Sequence, residues 1–440
     1  MREPSGLIRD LRSRLDSKAA LTLLVLLHSA LTCLSLIKVA TFQSYLPFSS
    51  ERVWLAVAVA AAFSIVSLLF VVARFSFGYF VGFYFFTMVL GYLWLNCFSG
   101  RDYDHRIGAL SAAASAILFL LPALFITSPL RHIHALTAKS FDRLLTCLLA
   151  LGIATVLIGA VYHFQFLDLK DINHDRPEFN APIGVNYLLA MVSTALLPFA
   201  FAGFVTTRAP WRAAAVLVLL LLFYPVTNNK TALLTSLWLV FMLLLSRMFQ
   251  ARIAVILSLL APAVAGLILF ALLGAHAAPY LNTVNFRMIA IPSVALDVYN
   301  DFFSRHDLTY FCQISFLKPL THCPYQEQLA VVLKREYDLG NFNASLFATE
   351  GIASLGTLFA PIAALVGGLV IALGNRLSAG LPPAFILISG AMLPQTLLNV
   401  PLTTTLLTHG AALLFLLWYI TPRGIFGRGS IAATNTSCFE

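Results

Sequence analysis

Long apolar runs recur along this chain and are separated by short polar segments. A helix of about 20 apolar residues crosses the hydrocarbon core of a bilayer and satisfies its backbone hydrogen bonds internally. The pattern therefore predicts twelve transmembrane helices. The predicted spans cover residues 20–40, 54–73, 78–98, 108–127, 144–164, 184–205, 211–227, 230–246, 253–274, 351–373, 383–399 and 403–420.

Composition agrees with this reading. Of the 440 residues, 60% are hydrophobic and 11% are charged, whereas a soluble domain carries about 25% charged residues. The net charge of +9 is spread over short loops and forms no basic arm, which argues against a nucleic-acid partner. The predicted fold class is an all-α polytopic membrane protein, with the lipid bilayer as its first partner.

Lysine and arginine placement predicts the orientation of the chain. Successive loops lie on opposite sides of the membrane. The side that includes both termini holds sixteen lysines and arginines, and the short loops of the other side hold six. The richer side is expected to be the cytoplasm, so both termini are predicted to be cytoplasmic. The predicted parts are a cytoplasmic segment 1–19, helices one to nine within 20–274, an extracytoplasmic loop 275–350, helices ten to twelve within 351–420 and a cytoplasmic tail 421–440.

The extracytoplasmic loop is too long to be a simple connector. Its stretch "IPSVALDVYNDFF" (291–303) mixes apolar and acidic residues at helical spacing and predicts a short amphipathic helix resting on the bundle. Cys312 and Cys323 share this loop. A disulfide between them fits a loop that faces an oxidising compartment, but the sequence leaves open whether it forms.

Soluble-enzyme motifs are missing from the sequence. It contains no nucleotide-binding glycine motif, and its ten histidines show no metal-ligand spacing, so no cofactor and no metal are predicted. Polar residues at the predicted outer helix ends remain. In "NNKTALL", Asn229 and Lys230 suit an anion site at a helix start, although Lys230 also fits a snorkelling lysine. Arg287 in "NFRMIAIP" fits either a phosphate clamp or an interfacial cation.

The stretch "NFNASLFATEG" (341–351) places Glu350 at the start of an apolar run, with Asn343 two turns earlier. A carboxylate at a bilayer edge is costly unless it is paired, so a functional role is the first hypothesis. The alternative is an acid that stabilises a helix N-terminus through the macrodipole.

Other candidates lie in the outer loops, and each also fits an ordinary solvated residue. Arg305 is a candidate for binding the substrate, and His306 and His322 are candidates for proton transfer. Arg176, like Arg101 and Arg106, is a candidate phosphate or sugar contact. Tyr337 is a candidate for stacking on a sugar, although an interfacial aromatic belt has the same signature.

"NNKTALL", "NFRMIAIP", the long outer loop and "NASLFATEGIASLG" follow one another in this order. Together they resemble the Wzy-type oligosaccharide repeat-unit polymerases of bacterial surface polysaccharide synthesis, which share a superfamily with the O-antigen ligases. The resemblance covers the layout of residues 180–420. It implies a metal-independent membrane glycosyltransferase that joins undecaprenyl-diphosphate-linked oligosaccharides into O-antigen, capsule or exopolysaccharide. The site would face the periplasm from the bacterial inner membrane.

The resemblance also implies residue roles and partners. Arg287 and Lys230 match the basic residues that face the diphosphate, and Glu350 with Asn343 matches the polar entrance of the helix after the long loop. A chain-length regulator and a flippase are the expected partners. Two alternatives stay open: an O-antigen ligase, which His306 or His322 would suit, and a flippase or other twelve-span transporter. The transporter is disfavoured because the link "TTRAPWR" between the two halves is tiny.

Overall fold

A computed structural model of the chain describes residues 17–43, 46–131, 134–165, 181–314, 317, 322–339 and 348–426, except for the side chains of Lys230 and Thr231. Helix is the only regular secondary structure in these ranges. Nine of the helical stretches described there are long and apolar enough to cross a membrane. The chain is therefore an all-α polytopic membrane protein.

The helices are numbered here in chain order. The first eight are α1 Lys18–Ala40, α2 Ser50–Val72, α3 Phe77–Asn96, α4 His105–Phe125, α5 Ala138–Tyr162, α6 Ile183–Thr206, α7 Pro210–Thr227 and α8 Lys230–Met248. The next five are α9 Ala251–Leu273, α10 Ala278–Thr283, α11 Ile291–Phe303, α12 Leu329–Tyr337 and α13 Ala348–Ser378. The last four are α14 Pro383–Ser389, α15 Leu393–Asn399, α16 Leu402–Leu407 and α17 Ala411–Ile420.

Side-chain caps start several of the long helices. Ser17, Ser76, Asp104 and Thr137 each accept a backbone N–H from the first turn of α1, α3, α4 and α5 respectively. Such caps satisfy donors that have no partner within the helix. The predicted starts of these spans lie inside the observed helices, because hydropathy marks the apolar run and the polar cap precedes it.

Three predicted spans are not among the nine candidates. The span predicted at 230–246 is the helix α8, whose described apolar part is only Ala232–Met248. The ranges 383–399 and 403–420 are not continuous helices: the first is split into α14 and α15, and the second into α16 and α17. In the first range, Pro394 has no backbone N–H to donate to the Gly390 carbonyl. In the second range, Gly410 has a φ of 78°, which is not helical. Hydropathy does not register these breaks.

The chain divides into two compact units. Unit 1 comprises residues 1–126, 249–373 and 394–404, and unit 2 comprises 127–248, 374–393 and 405–440. In unit 1, α3 packs against α1, α2, α4, α9 and α11, and every residue from Phe77 to Leu95 is buried. A helix that is apolar all round belongs in such a centre. In unit 2, α7 packs against α5, α6 and α8, and α14 packs against α6 and α8.

Helix α13 is kinked near its start. Gly356 has φ 78° and ψ 165°, which is not a helical conformation. Side chains with a Cβ atom almost never adopt this region. The kink separates the first turns of α13, which contain Glu350, from the long apolar remainder.

Replacing Gly356 with alanine is expected to destabilise the protein by about 1–3 kcal/mol, because alanine would be forced into a conformation that only glycine tolerates. An added methyl group would meet only the Leu308 side chain, at 3.7 Å, so the cost is conformational. Reversible unfolding in mixed micelles, followed by circular dichroism, measures the change. Gly184→Ala is the matched control, because its methyl group has no heavy atom within 4 Å and α6 is helical there. Equal stability of Gly356→Ala and wild type would contradict the prediction.

Candidate functional site

Helix α11 carries two carboxylates one turn apart. Asp297 and Asp301 are four positions apart, so they lie on one face of the helix, and their exposed fractions are only 6% and 3%. Every residue from Pro292 to Phe303 is buried. The helix predicted at 291–303 is present, but it does not rest on the bundle surface. Its polar face meets the 97–104 loop between α3 and α4.

Asp297 fastens the 97–104 loop to α11. Its Oδ2 accepts hydrogen bonds from Ser99 Oγ at 3.1 Å and from Arg101 Nε at 2.8 Å, and its Oδ1 accepts from the Tyr103 hydroxyl at 2.6 Å. Burial raises the pKa of Tyr103, and the negative charge of Asp297 raises it further. The phenol therefore stays protonated at neutral pH and remains a donor.

Asp301 joins three segments. Its Oδ1 accepts the backbone N–H of Asp102 at 2.9 Å, and its Oδ2 accepts from Arg305 Nη2 and from the Tyr337 hydroxyl, each at 2.6 Å. The guanidinium carbon of Arg101 lies 4.9 Å from the centre of the Tyr337 ring, within cation–π range. This contact connects the two carboxylate centres. Asp297, Asp301, Arg101, Tyr103, Arg305 and Tyr337 are called the aspartate network below.

The aspartate network includes three residues that the sequence marks as candidates for substrate contact, Arg101, Arg305 and Tyr337. Arg305 and Tyr337 bind Asp301. The two aspartates balance the charges of Arg101 and Arg305. A neutralised guanidinium attracts an anion less than an unpaired one. Substrate binding by Arg305 and Tyr337 stays a prediction. The two aspartates were not predicted as a site, although two acids four positions apart in the predicted helix 291–303 were the available signal.

A row of hydrogen bonds extends from the aspartate network to α13. The hydroxyls of Tyr103 and Tyr92 are 3.2 Å apart, and Asn300 Nδ2 donates to Tyr92 at 3.2 Å. Thr357 Oγ1 donates to Asn300 Oδ1 at 2.8 Å, and the Thr357 carbonyl accepts from Ser111 of α4. The end of α3, the start of α4 and the first part of α13 therefore lie together at one end of unit 1.

Glu350 lies in the first turn of α13 and is partly exposed. Its Oε2 accepts the backbone N–H of Leu402 at 3.0 Å, and Leu402 is the first residue of α16. Burial raises the pKa of Tyr299 on α11, and the negative charge of Glu350 raises it further. The structural role that competes with catalysis is therefore a contact in which the Glu350 carboxylate binds the start of α16.

Two other predicted catalytic residues are exposed. Arg287 lies in the π-helical turn Phe286–Ala290 before α11, and its side chain makes no hydrogen bond or ion pair with the described residues. His306 follows α11 and stacks on Phe302 with ring centres 4.0 Å apart, with Nδ1 2.9 Å from the Phe302 carbonyl oxygen. The contact with a carbonyl oxygen favours a proton on Nδ1. In that tautomer of the ring, Nε2 has the lone pair and is the acceptor.

The remaining predicted residues are not brought to the aspartate network by the described contacts. Asn229 is exposed just before α8 in unit 2, whereas its neighbour Asn228 is buried with a φ of 46°. Lys230 begins α8, but its side chain lies outside the described part. Asn343 and Arg176 also lie outside the described residues.

A disulfide closes part of the segment after α11. Cys312 and Cys323 are bonded, a pairing that the sequence left open. Thr309, three residues before Cys312, donates its backbone N–H to the Ala353 carbonyl at 2.7 Å. Its hydroxyl lies 3.0 Å from Ser354 Oγ. Thr309, just before this segment, is therefore held beside the first turns of α13, where Glu350 lies.

Within the described ranges, no three His, Cys, Asp or Glu side chains form a group that could hold a metal ion. Comparison of the chain with models of known families, with curated proteins and with solved structures found no match. Any proposal about the activity of this chain therefore rests on its own residues and their arrangement.

Proposed function

We propose that this chain polymerises undecaprenyl-diphosphate-linked oligosaccharide repeat units into a surface polysaccharide, as a Wzy-type polymerase of the bacterial inner membrane. The proposed topology has twelve membrane passages with both termini in the cytoplasm. It counts the nine candidate spans, α8 and the two interrupted passages α14–α15 and α16–α17. The site would face the periplasm.

One observation carries the proposal. The 97–104 loop, the polar face of α11 and the start of α13 are distant in sequence, yet hydrogen bonds join them at one end of unit 1. The proposed topology assigns all three to the periplasmic side. Ionisable groups gathered at one end of a bundle suit a reaction at the membrane surface. A transporter is expected to place them near mid-membrane depth instead.

The proposed reaction transfers a glycan from its lipid diphosphate to a hydroxyl of a second lipid-linked unit. The bond between the anomeric carbon and the diphosphate oxygen breaks, and a glycosidic bond to the acceptor oxygen forms. Glu350 accepts the acceptor proton as the general base. Arg287 stabilises the charge that develops on the departing undecaprenyl diphosphate. The contact of Lys230 with the diphosphate, which the resemblance implies, stays a prediction. The aspartate network fixes the surrounding segments.

Removing the cation at Arg287 is expected to reduce polymer formation at least about 100-fold, the effect typical of a lost charge-stabilising group. Arg287→Lys should recover part of the activity, because lysine keeps the charge and loses the paired donors. Polymer ladders from cells with equal protein levels measure both variants. Arg335→Ala is the control, because Arg335 is an exposed arginine of the same predicted loop, 275–350. Full-length ladders from Arg287→Ala would remove Arg287 from the site.

His306 gives an O-antigen ligase some support. It is exposed, and its contact with Phe302 favours an acceptor lone pair on Nε2, which suits a general base. A ligase would transfer a finished polymer to a different acceptor instead of extending the chain.

A deletion strain separates the candidates. Loss of the chain should leave single repeat units on the cell surface if it is the polymerase. Polymer retained on its lipid carrier would assign the chain as a ligase, and repeat units trapped inside the cell would assign it as a flippase. Either of the last two results would overturn the proposal.

A further inference from the structure

Tyr310 and Phe311 form a turn that their side chains disfavour. The backbone N–H of Cys312 donates to the Thr309 carbonyl at 2.9 Å, so Tyr310 and Phe311 are the two central residues. Their φ values are 46° and 63°. Positive φ at both central positions is typical of a type I′ turn, which is usually built from Asn, Asp or Gly. Two aromatic residues there contradict the local preference of the chain.

The surrounding contacts maintain this conformation. Thr309 is bonded to Ala353 and Ser354 of α13, and the disulfide of Cys312 closes the other side. The Tyr325 hydroxyl also donates to the Asp307 carbonyl at 2.7 Å. Disfavoured backbone that is fixed from several sides is common at ligand sites.

The turn presents the Tyr310 ring to the outside. The exposed fraction of Tyr310 is 64%, so packing within the protein does not explain an aromatic residue at a strained position. The exposed residues next to it in sequence are polar and include His306, Asp307 and Gln313. Acidic and amide neighbours do not suit insertion among anionic lipid headgroups.

From these contacts we infer that Tyr310 is a saccharide-binding residue, which stacks on a pyranose ring of the oligosaccharide. An aromatic face is electronegative and attracts the C–H face of a sugar ring. Asp307 and Gln313 supply acceptors and donors for the sugar hydroxyls. The attachment of Thr309 to Ala353 places this platform next to the helical turns that follow Glu350. The assignment of the sugar to a lipid-linked repeat unit rests on the proposed function.

The test measures saccharide binding by the full chain in nanodiscs. The probes are maltohexaose and N-acetylchitohexaose, followed by saturation-transfer difference NMR. Wild type and Tyr310→Phe should transfer saturation to the C–H protons of at least one probe. Tyr310→Asn should weaken binding at least about fivefold, which corresponds to a contact of about 1 kcal/mol. Asparagine suits positive φ, so the turn should persist in this variant.

Phe311→Gly is the matched control. It relieves the same kind of strain and keeps the Tyr310 ring, so binding should stay within twofold of wild type. Equal binding by Tyr310→Asn and wild type would overturn the inference, and so would the absence of binding to both probes by the wild type. If binding depends on Tyr310 but the deletion strain still makes normal polymer, the proposed polymerase is wrong and the saccharide contact stands. If the deletion strain loses polymer but binding does not depend on Tyr310, the polymerase stands and the saccharide contact is wrong.

Discussion

Replacing Glu350 with glutamine is expected to reduce polymer formation at least about 100-fold, which is typical of a lost general base. Glutamine has nearly the same shape as glutamate, and its carbonyl oxygen can still accept the N–H of Leu402, which Glu350 Oε2 accepts at 3.0 Å. The amide cannot take a proton from an acceptor hydroxyl. The substitution therefore removes the chemistry and keeps the contact that the structure shows.

The two roles of Glu350 predict different outcomes. If it serves only to bind the start of α16, Glu350→Gln keeps both stability and polymer length. If it is the base, stability stays and polymer is lost. Glu327→Gln is the control, because Glu327 is a glutamate of the same predicted loop, 275–350, and forms an exposed ion pair with Arg335. Polymer ladders together with protein levels decide between the roles, and wild-type ladders from Glu350→Gln would end the catalytic assignment.

Removing the carboxylate of Asp297 is expected to cost about 3 kcal/mol of unfolding free energy. Loss of one partner of a buried ion pair typically costs about 3–5 kcal/mol, and the lower end applies because Arg101 keeps a 20% exposed side chain. Asp297→Ala also leaves the Ser99 hydroxyl without the acceptor that it has in the structure, whereas the Tyr103 hydroxyl keeps Asn96 Oδ1 at 2.8 Å. Reversible unfolding in mixed micelles measures the difference from wild type.

An exposed ion pair of the same kind provides the comparison. Asp142 pairs with Arg212 at 2.9 Å, and both side chains are about half exposed. Such pairs contribute about 0–1 kcal/mol, so Asp142→Ala should change stability little. If Asp297→Ala is no more destabilising than Asp142→Ala, the aspartate network does not hold the 97–104 loop in place.

Much of the helical framework follows from hydropathy. The nine candidate spans coincide with nine of the twelve predicted ones, because a long apolar run has few alternatives to a spanning helix. The interrupted passages show the limit of this reasoning. Gly390 and Pro394 break an apolar stretch without making it polar, so a window that averages hydropathy cannot register the break.

The polar contacts were less accessible to sequence reasoning. Arg101 and Asp297 are separated by 196 positions, and nothing in the local pattern of either one indicates the other. Glu350 and Arg287 stood out because each lies at the edge of an apolar run. Asp297 and Asp301 did not, because in an amphipathic helix an acid normally faces water. The structure buries that helix, and the acids then need partners.

The most direct test of the central claim is polymerisation by the purified chain. Repeat units on undecaprenyl diphosphate, extracted from the deletion strain, would be supplied to the full chain in nanodiscs and followed by mass spectrometry. We expect a ladder of lengthening glycans with release of undecaprenyl diphosphate, and no ladder with Glu350→Gln. Recovery of unchanged single units from the folded wild-type chain would contradict the claim.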